Sequence, residues 1–261
     1  MQPRLSMVET VVYGFIGLVA FLGIWYLLPA AGVVPQQFLP TPVAVFTRMV
    51  ELTTQPFAGA TLPAHIGYSF LRFFSGFLLA ALIGIPLGLT MGWFRIVDEI
   101  VAPIFDGLRF IAPIAWVPFA ALWFGTGVGG PVMIIFAGAF PPCVINAYRG
   151  AKQVDPQLIE AAEMLGTGHL RMMTEILLPA SVPSIVAGLR VAAGLGWQSL
   201  VGAELIVAST GVGFMMVQAQ GNVATSTVMC GMVAIGIVGL IIDILLRRGE
   251  EAIRRRRGLA E

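Results

Sequence analysis

Charge is what this sequence has least of. Only 11% of its 261 residues are Asp, Glu, Lys or Arg, against about 25% in a soluble domain. Lys152 is the one lysine. Its setting, Arg149-Gly150-Ala151-Lys152-Gln153, is not a phosphate loop, and no segment fits G-x-x-x-x-G-K-[ST]. ATP binding by this chain through a Walker loop is therefore excluded. The two histidines, His65 and His169, lie far apart with no H-E-x-x-H, and no G-x-S-x-G elbow occurs. Metal-assisted and serine hydrolysis both lack their parts. Cys143 and Cys230 fall inside apolar runs and read as small buried residues, not as a disulfide or a metal pair. A net charge of +1 gives no basis for nucleic-acid binding.

What remains is apolar. Hydrophobic residues make up 57% of the chain and the mean hydropathy is +0.89, so the chain reads as an all-α integral membrane protein of about six spans, each needing about 20 apolar residues. Residues 11–34 carry no charge. That run is too long for a signal-peptide core and lacks a convincing cleavage site, so it reads as a retained span. Leu39-Pro40-Thr41-Pro42 leads into a short amphipathic helix. The second span runs from about Ile66 to Trp93, where Gly76, Ala80, Gly84, Gly88 and Gly92 recur every four residues as a ridge for another helix. The third begins near Ile100, with kinks expected at Pro113 and Pro118. A glycine turn at Gly125–Pro131 starts the fourth, which should bend at Pro141-Pro142. The fifth covers roughly Val182 to Val207, and Ser209 to Gly213 is a turn. Gln218 to Ser226 suits a re-entrant or surface helix, and the sixth span runs from about Val228 to Leu246.

Asp155 to Pro179 interrupts these runs with charges of both signs. Asp155-Pro156 reads as an N-cap followed by proline at the first helical position. Gly166 stops that helix, Thr167 can cap a second, and Pro179 ends it. The result is a polar helical hairpin outside the lipid, suited to a soluble partner. Arg95, Arg149, Lys152, Arg171 and the arginine-rich tail (residues 247–261) fall on one side of the membrane if six spans alternate. The connections Gly125–Pro131 and Ser209–Gly221 contain no Lys or Arg. The positive-inside rule then makes the hairpin and both termini cytoplasmic.

Charges inside spans are costly and often functional. Asp106 and Arg109 share a helix face and can pair. Arg190 and Arg72 suit snorkelling positions near opposite ends of their spans, and Asp243 an interface position beside Arg247. Glu204 either faces a vestibule or hydrogen-bonds within the bundle. Pathway candidates are Arg109, Trp116, Trp123, Trp197, Ser199 and Glu204, with packing as the alternative for the aromatics.

Glu160-Ala161-Ala162, three residues, Gly166, nine residues, Ile176, one residue and Leu178-Pro179 resembles the cytoplasmic coupling motif of binding-protein-dependent ABC importer permeases. Further segments resemble the nitrate/sulfonate/taurine/bicarbonate branch of that family. They are Leu39-Pro40 with Pro42; His65-Ile66 with Ser69, Arg72 and Gly76-Phe77; Pro113, Pro118 and Trp123-Phe124-Gly125; Gly188-Leu189-Arg190, Gly196-Trp197, Ala203-Glu204-Leu205 and Gly211-Val212-Gly213. Ile111-Ala112 before Pro113 departs from the denser prolines commoner in the branch.

The resemblance implies a type I importer bundle in the bacterial inner membrane, residues 1–261 forming a single permease domain. A second copy of the permease, two ATP-binding-cassette ATPase subunits and a periplasmic or lipid-anchored substrate-binding protein complete the complex. It implies no cofactor in this chain, with ATP and Mg held by the ATPase. Glu160, Ala161 and Ala162 then shape the hairpin, and Leu165, Gly166, Thr167, Gly168 and His169 touch the ATPase. The solute expected is a small anion (sulfonate or taurine, nitrate, bicarbonate or a related organic acid). A neutral heterocycle or vitamin precursor is the alternative. Asp106, Glu204 or Asp243 as proton or sodium sites would instead suit an ion-coupled secondary carrier.

Overall fold

The computed structural model describes residues 7–256, and its regular elements are all helical. In chain order they are α1 (Met7–Ala30), α2 (Pro42–Thr54), α3 (Leu62–Trp93), α4 (Arg95–Leu108), a 3-10 turn (Pro113–Trp116), α5 (Val117–Phe124) and α6 (Gly129–Lys152). There follow α7 (Pro156–Met164), α8 (His169–Arg171), a π-helical stretch (Met172–Leu177), α9 (Leu178–Val207), α10 (Val212–Gly221) and α11 (Thr225–Arg256). Five stretches are long and apolar enough to cross a membrane: Val12–Ala30, Leu62–Trp93, Gly129–Lys152, His169–Val207 and Thr225–Arg255. The end of the arginine-rich tail, from Arg257 on, lies outside the described residues.

The expected third span is not one kinked helix. Its halves, Arg95–Leu108 and Pro113–Phe124, meet at 88°. Ala112 sits at φ −56°, ψ 138°, because the ring of the following proline disfavours the helical conformation. Pro118 lies in the first turn of α5, where its missing N–H disturbs no hydrogen bond. Pro141 and Pro142, by contrast, are contained within the single helix α6. They leave the carbonyls of Ala137 and Gly138 without their usual i+4 donors.

The small-residue ridge of α3 packs on α6, and the two helices run parallel. A Cβ at Gly76 would meet Ile135 at 2.7 Å, one at Gly84 would meet Cys143 at 2.9 Å, and one at Gly92 would meet Ala151 at 2.5 Å. At Gly88 it would strike the Val144 carbonyl oxygen. Ala80 is fully buried with Ala139 and Cys143. Each step of four residues on α3 thus matches four on α6, which holds the backbones close. α9 lies antiparallel on α6. Gly150 faces Ser181 and Ser184, Gly188 faces Asn146, and Gly196 faces Ala139 and Ile135. α6 is therefore held on two sides, and α3, α6 and α9 form the centre of the molecule. α1 stands almost wholly exposed, held by a Trp25 Nε1 donation to the Pro40 carbonyl at 3.0 Å.

Helix starts follow their caps. Thr41 Oγ1 accepts from Ala44 N at 3.3 Å and Asp155 Oδ1 from Gln157 N at 2.9 Å. Pro179 does not end a helix, contrary to expectation. α8, the π stretch and α9 run on as one helix from His169 to Val207. The wide turn, in which Leu178 N donates to Met173 O, comes where a proline ring would otherwise meet the Glu175 carbonyl. The turn expected over Ser209 to Gly213 is shorter, and α10 already begins at Val212. At 10 residues, or about 15 Å, α10 is too short to cross.

The α3–α6 contact predicts a sharp contrast between two alanines. Gly88→Ala should lower the thermal midpoint of the detergent-purified protein by several degrees, since overpacking a tight contact costs about 1–3 kcal/mol. Gly67→Ala, on the same helix with nothing within 4 Å of its Cβ, should leave the midpoint unchanged or raise it.

Candidate functional site

The hairpin begins at α7 and turns at Gly166, whose φ is +73°. Gly166 N donates to Glu163 O at 2.9 Å and Thr167 N to Ala162 O at 3.1 Å, the paired bonds of a Schellman turn. The left-handed conformation is why glycine stands there. Gly168, not Thr167, precedes the second helix, and no side chain caps it.

One face of the hairpin is anchored. Ala162, Met172 and Leu177 are buried with Leu89, Ala147, Ala151 and Ile185 of α3, α6 and α9. The tip faces outward, with Met164 and Leu165 each 85% exposed and Leu170 77% exposed. Glu160, Ala161, Gly166 and Gly168 are exposed, Thr167 is half-buried, and the exposed His169 ring lies 6.1 Å from Phe94 and 6.5 Å from Trp93.

At the opposite end of the bundle, residues from three elements close one buried network. Arg72 Nη1 donates to Glu204 Oε1 at 2.9 Å and to the Thr210 carbonyl at 2.6 Å, and Nη2 donates to Thr210 Oγ1 at 2.6 Å. Ser69 Oγ donates to Glu204 at 2.8 Å, and Gly213 N donates to Glu204 Oε2 at 3.0 Å. His65 Nδ1 accepts from Gly211 N at 3.2 Å, which leaves Nε2 to donate to the Phe57 carbonyl at 2.9 Å. A Cβ at Gly211 would strike the Glu204 carboxylate, and one at Gly213 would lie 2.6 Å from Glu204 Cβ. The charges are 3% and 2% exposed. Arg72 therefore does not snorkel, and Glu204 hydrogen-bonds within the bundle instead of lining a vestibule. Both are enclosed because each supplies the other's counter-charge.

Arg190 is also paired, with Nε donating to Asp243 Oδ1 at 2.8 Å and Nη2 to Oδ2 at 3.2 Å, joining α9 to α11. Trp197 is buried edge-on against Phe73, and its Nε1 donates to the Ile235 carbonyl at 3.1 Å. It serves packing between α9 and α11.

The remaining pathway candidates divide around the broken segment 109–112. A cavity of about 340 Å³ is lined by Arg109, Pro113, Gly138, Pro141, Gln198 and Ser199, among others. This is at the small end of the roughly 300–1,000 Å³ usual for small-molecule sites. Trp116 lines an adjoining aromatic cavity of about 230 Å³ with Phe136 and Phe140. Trp123 lines neither and is 68% exposed. Arg109 Nε lies 2.9 Å from Asp106 Oδ1, the pair expected from their spacing.

Fold and site together define a multi-span helical membrane subunit with an anchored hairpin at one end and a cavity beside a broken helix at mid-bundle. Residues 80–258 match the family described as binding-protein-dependent transport system inner membrane component. The chain belongs to that family of ABC importer permeases. It is 34% identical to the taurine transport system permease TauC of Escherichia coli, over 92% of this chain and 86% of TauC. It is 32% identical to the putative aliphatic sulfonates permease SsuC of Bacillus subtilis, over 92% and 86%. With the bicarbonate transport permease CmpB of Synechococcus elongatus the identity is 33%, over 87% and 84%. Inward-facing structures of the MetNI methionine ABC transporter share the fold, with a TM-score of 0.59 at 20% identity over 80% of this chain and 96% of theirs.

The buried pair predicts strong non-additivity. Arg72→Leu or Glu204→Leu alone should each destabilise by about 3–5 kcal/mol, by stranding one buried charge. The double variant should cost clearly less than the two singles together in a thermal double-mutant cycle. Additive losses would show that the two charges do not depend on each other.

Proposed function

We propose that this chain is the membrane-spanning permease of an ATP-driven importer for a small anionic solute. Two copies form the pathway, and a separate ATPase, which binds ATP and Mg, docks on the hairpin. A soluble or lipid-anchored binding protein delivers the solute from the other side. The observation that carries this reading is the hairpin. Its Schellman elbow holds Met164 and Leu165 in water at 85% exposure, while its other face is fixed to α3, α6 and α9. Large exposed apolar residues on a polar hairpin mark a protein-docking surface.

Arg95, Arg149, Lys152 and Arg171 lie at the hairpin end, whereas the connections at the far end carry a single basic residue, Arg48. The positive-inside rule supports a cytoplasmic hairpin, where ATP is. ATP binding would draw two ATPases together, and the hairpins would carry that closure to the spans. The bundle would then exchange inward- and outward-facing packings. The anionic class is supported by the relatives' taurine, sulfonate and bicarbonate substrates and by Arg109, the one charged residue lining the 340 Å³ cavity.

Co-expression with its cognate ATP-binding-cassette ATPase, followed by mild detergent extraction, should yield a complex with two copies of each chain. Leu165→Asp should abolish ATPase co-elution while the permease still elutes as a single monodisperse peak, because residue 165 touches little of its own chain. A Leu165→Asp permease that retained its ATPase and transported normally would remove the docking role. Uptake driven by an ion gradient without the ATPase would favour the secondary carrier.

A further inference from the structure

Arg109 occupies a singular place. It caps the C-terminal end of α4 immediately before the 88° break. It lines the 340 Å³ cavity, the aromatic cavity of about 230 Å³, and a third of about 220 Å³ formed with Asp98, Asp106, Tyr148 and Arg149. A solute passing between these spaces meets the same guanidinium each time. Its one polar contact among the described residues is the Nε pair with Asp106, and its flat face lies 5.0 Å from the Phe110 ring. Both Nη groups remain unspent, and these are the donors that bind a planar or tetrahedral oxyanion in a fork.

The surrounding charges favour an anion on one side only. The 340 Å³ cavity contains no acidic residue, and its other polar side chains are Gln198 and Ser199. Ser199 Oγ donates to the Leu195 carbonyl at 2.7 Å, so the amide of Gln198 is the second available donor. The third cavity, nearer the hairpin, carries both signs, with Asp98 and Asp106 beside Arg109 and Arg149. Asp98 there is engaged, accepting from the Tyr148 hydroxyl at 2.8 Å and lying 3.6 Å from Lys152 Nζ. Among the described residues Asp106 is paired with no other cation, and its side chain is 58% exposed. It is free to release the guanidinium and to take it back.

Resting on the anion-importer reading, we propose that Arg109 is the anion-binding residue of the membrane pathway and that Asp106 is its resident counter-ion. A solute sulfonate or carboxylate entering the 340 Å³ cavity takes the Nη donors and Gln198. Asp106, on the adjacent turn of α4, competes for the same guanidinium from the hairpin side. It weakens the site enough for the anion to leave. A carrier that bound its anion with a lone arginine would hold it too long; an internal carboxylate makes the binding an exchange of partners.

The test uses the complete complex with its ATPase and binding protein in proteoliposomes. Labelled taurine, methanesulfonate and bicarbonate serve as probes. Arg109→Gln should lower ATP-driven uptake of the transported anion at least tenfold while the complex still assembles. Arg109→Lys should restore part of that uptake. Asp106→Asn should bind the same anion about tenfold tighter in equilibrium dialysis, yet turn over more slowly. The exchanged pair Asp106→Arg with Arg109→Asp separates this role from a merely structural ion pair. It keeps the attraction but moves the cation off position 109, so uptake should stay low. Full uptake by Arg109→Gln, or rescue by the exchanged pair, would overturn the assignment of Arg109. A wild-type complex that imports a neutral heterocycle and none of the three oxyanion-bearing probes would overturn the anion reading itself.

Discussion

Close contact between α3 and α6 is the constraint on which the rest of the molecule depends. In a bilayer the lipid tails are as apolar as leucine, so burying apolar surface does not by itself join two helices. What joins them is dispersion and backbone proximity, and both need small residues at every turn. Gly76, Ala80, Gly84, Gly88 and Gly92 supply these on α3, and Ala139, Cys143, Ala147 and Ala151 receive them on α6. α9 uses the other side of α6 in the same way through Gly188 and Gly196. The three helices become one block because no larger side chain intervenes.

Each element to which a role is proposed is attached to that block or placed at its margin. The hairpin joins it through Ala162, Met172 and Leu177, so a push on the exposed tip is delivered to the block and not absorbed by a loop. At the far end, the Arg72–Glu204 network ties α3 and α9 to the turn before α10. At the hairpin end, Arg190 and Asp243 tie α9 to α11. The segment that escapes these ties is the break at 109–112, where α4 and α5 turn through 88°. The cavities gather there. In the proposed mechanism the rigid part transmits and the broken part handles the solute.

Much of this was legible in the sequence because it is encoded locally. The four-residue small ridge, the Asp155-Pro156 start and the Gly166 stop each need only a few neighbouring residues to be read. Long-range pairings left no such trace. Arg72 and Glu204 are 132 positions apart, and their meeting is invisible to any local pattern. His65, Ser69, Arg72, Glu204, Gly211 and Gly213 each drew notice separately, and one network accounts for them all. Pro179 was misread for a different reason: burial of Met172 and Leu177 holds the helix together through a π turn, overriding the local signal to stop. The broken third span was hidden by its length, since an uncharged run with prolines reads as a kinked crossing until the Ala112-Pro113 geometry is known.

If the hairpin moves as one body with α3, α6 and α9, distances within a protomer must survive the transport cycle. Spin labels on Leu82→Cys of α3 and Leu158→Cys of the hairpin, both at exposed positions, would report this by pulsed electron resonance, because Cys143 and Cys230 are buried from the labelling reagent. Dimers in which one protomer carries both labels should show the same separation in the nucleotide-free and ATP-trapped complexes. Dimers labelled once per protomer at Leu158 should show the two hairpins drawing together on ATP binding. A Leu158 label that shifted against Leu82 within its own protomer would contradict the account, since the hairpin would then be flexing alone and not driving the bundle.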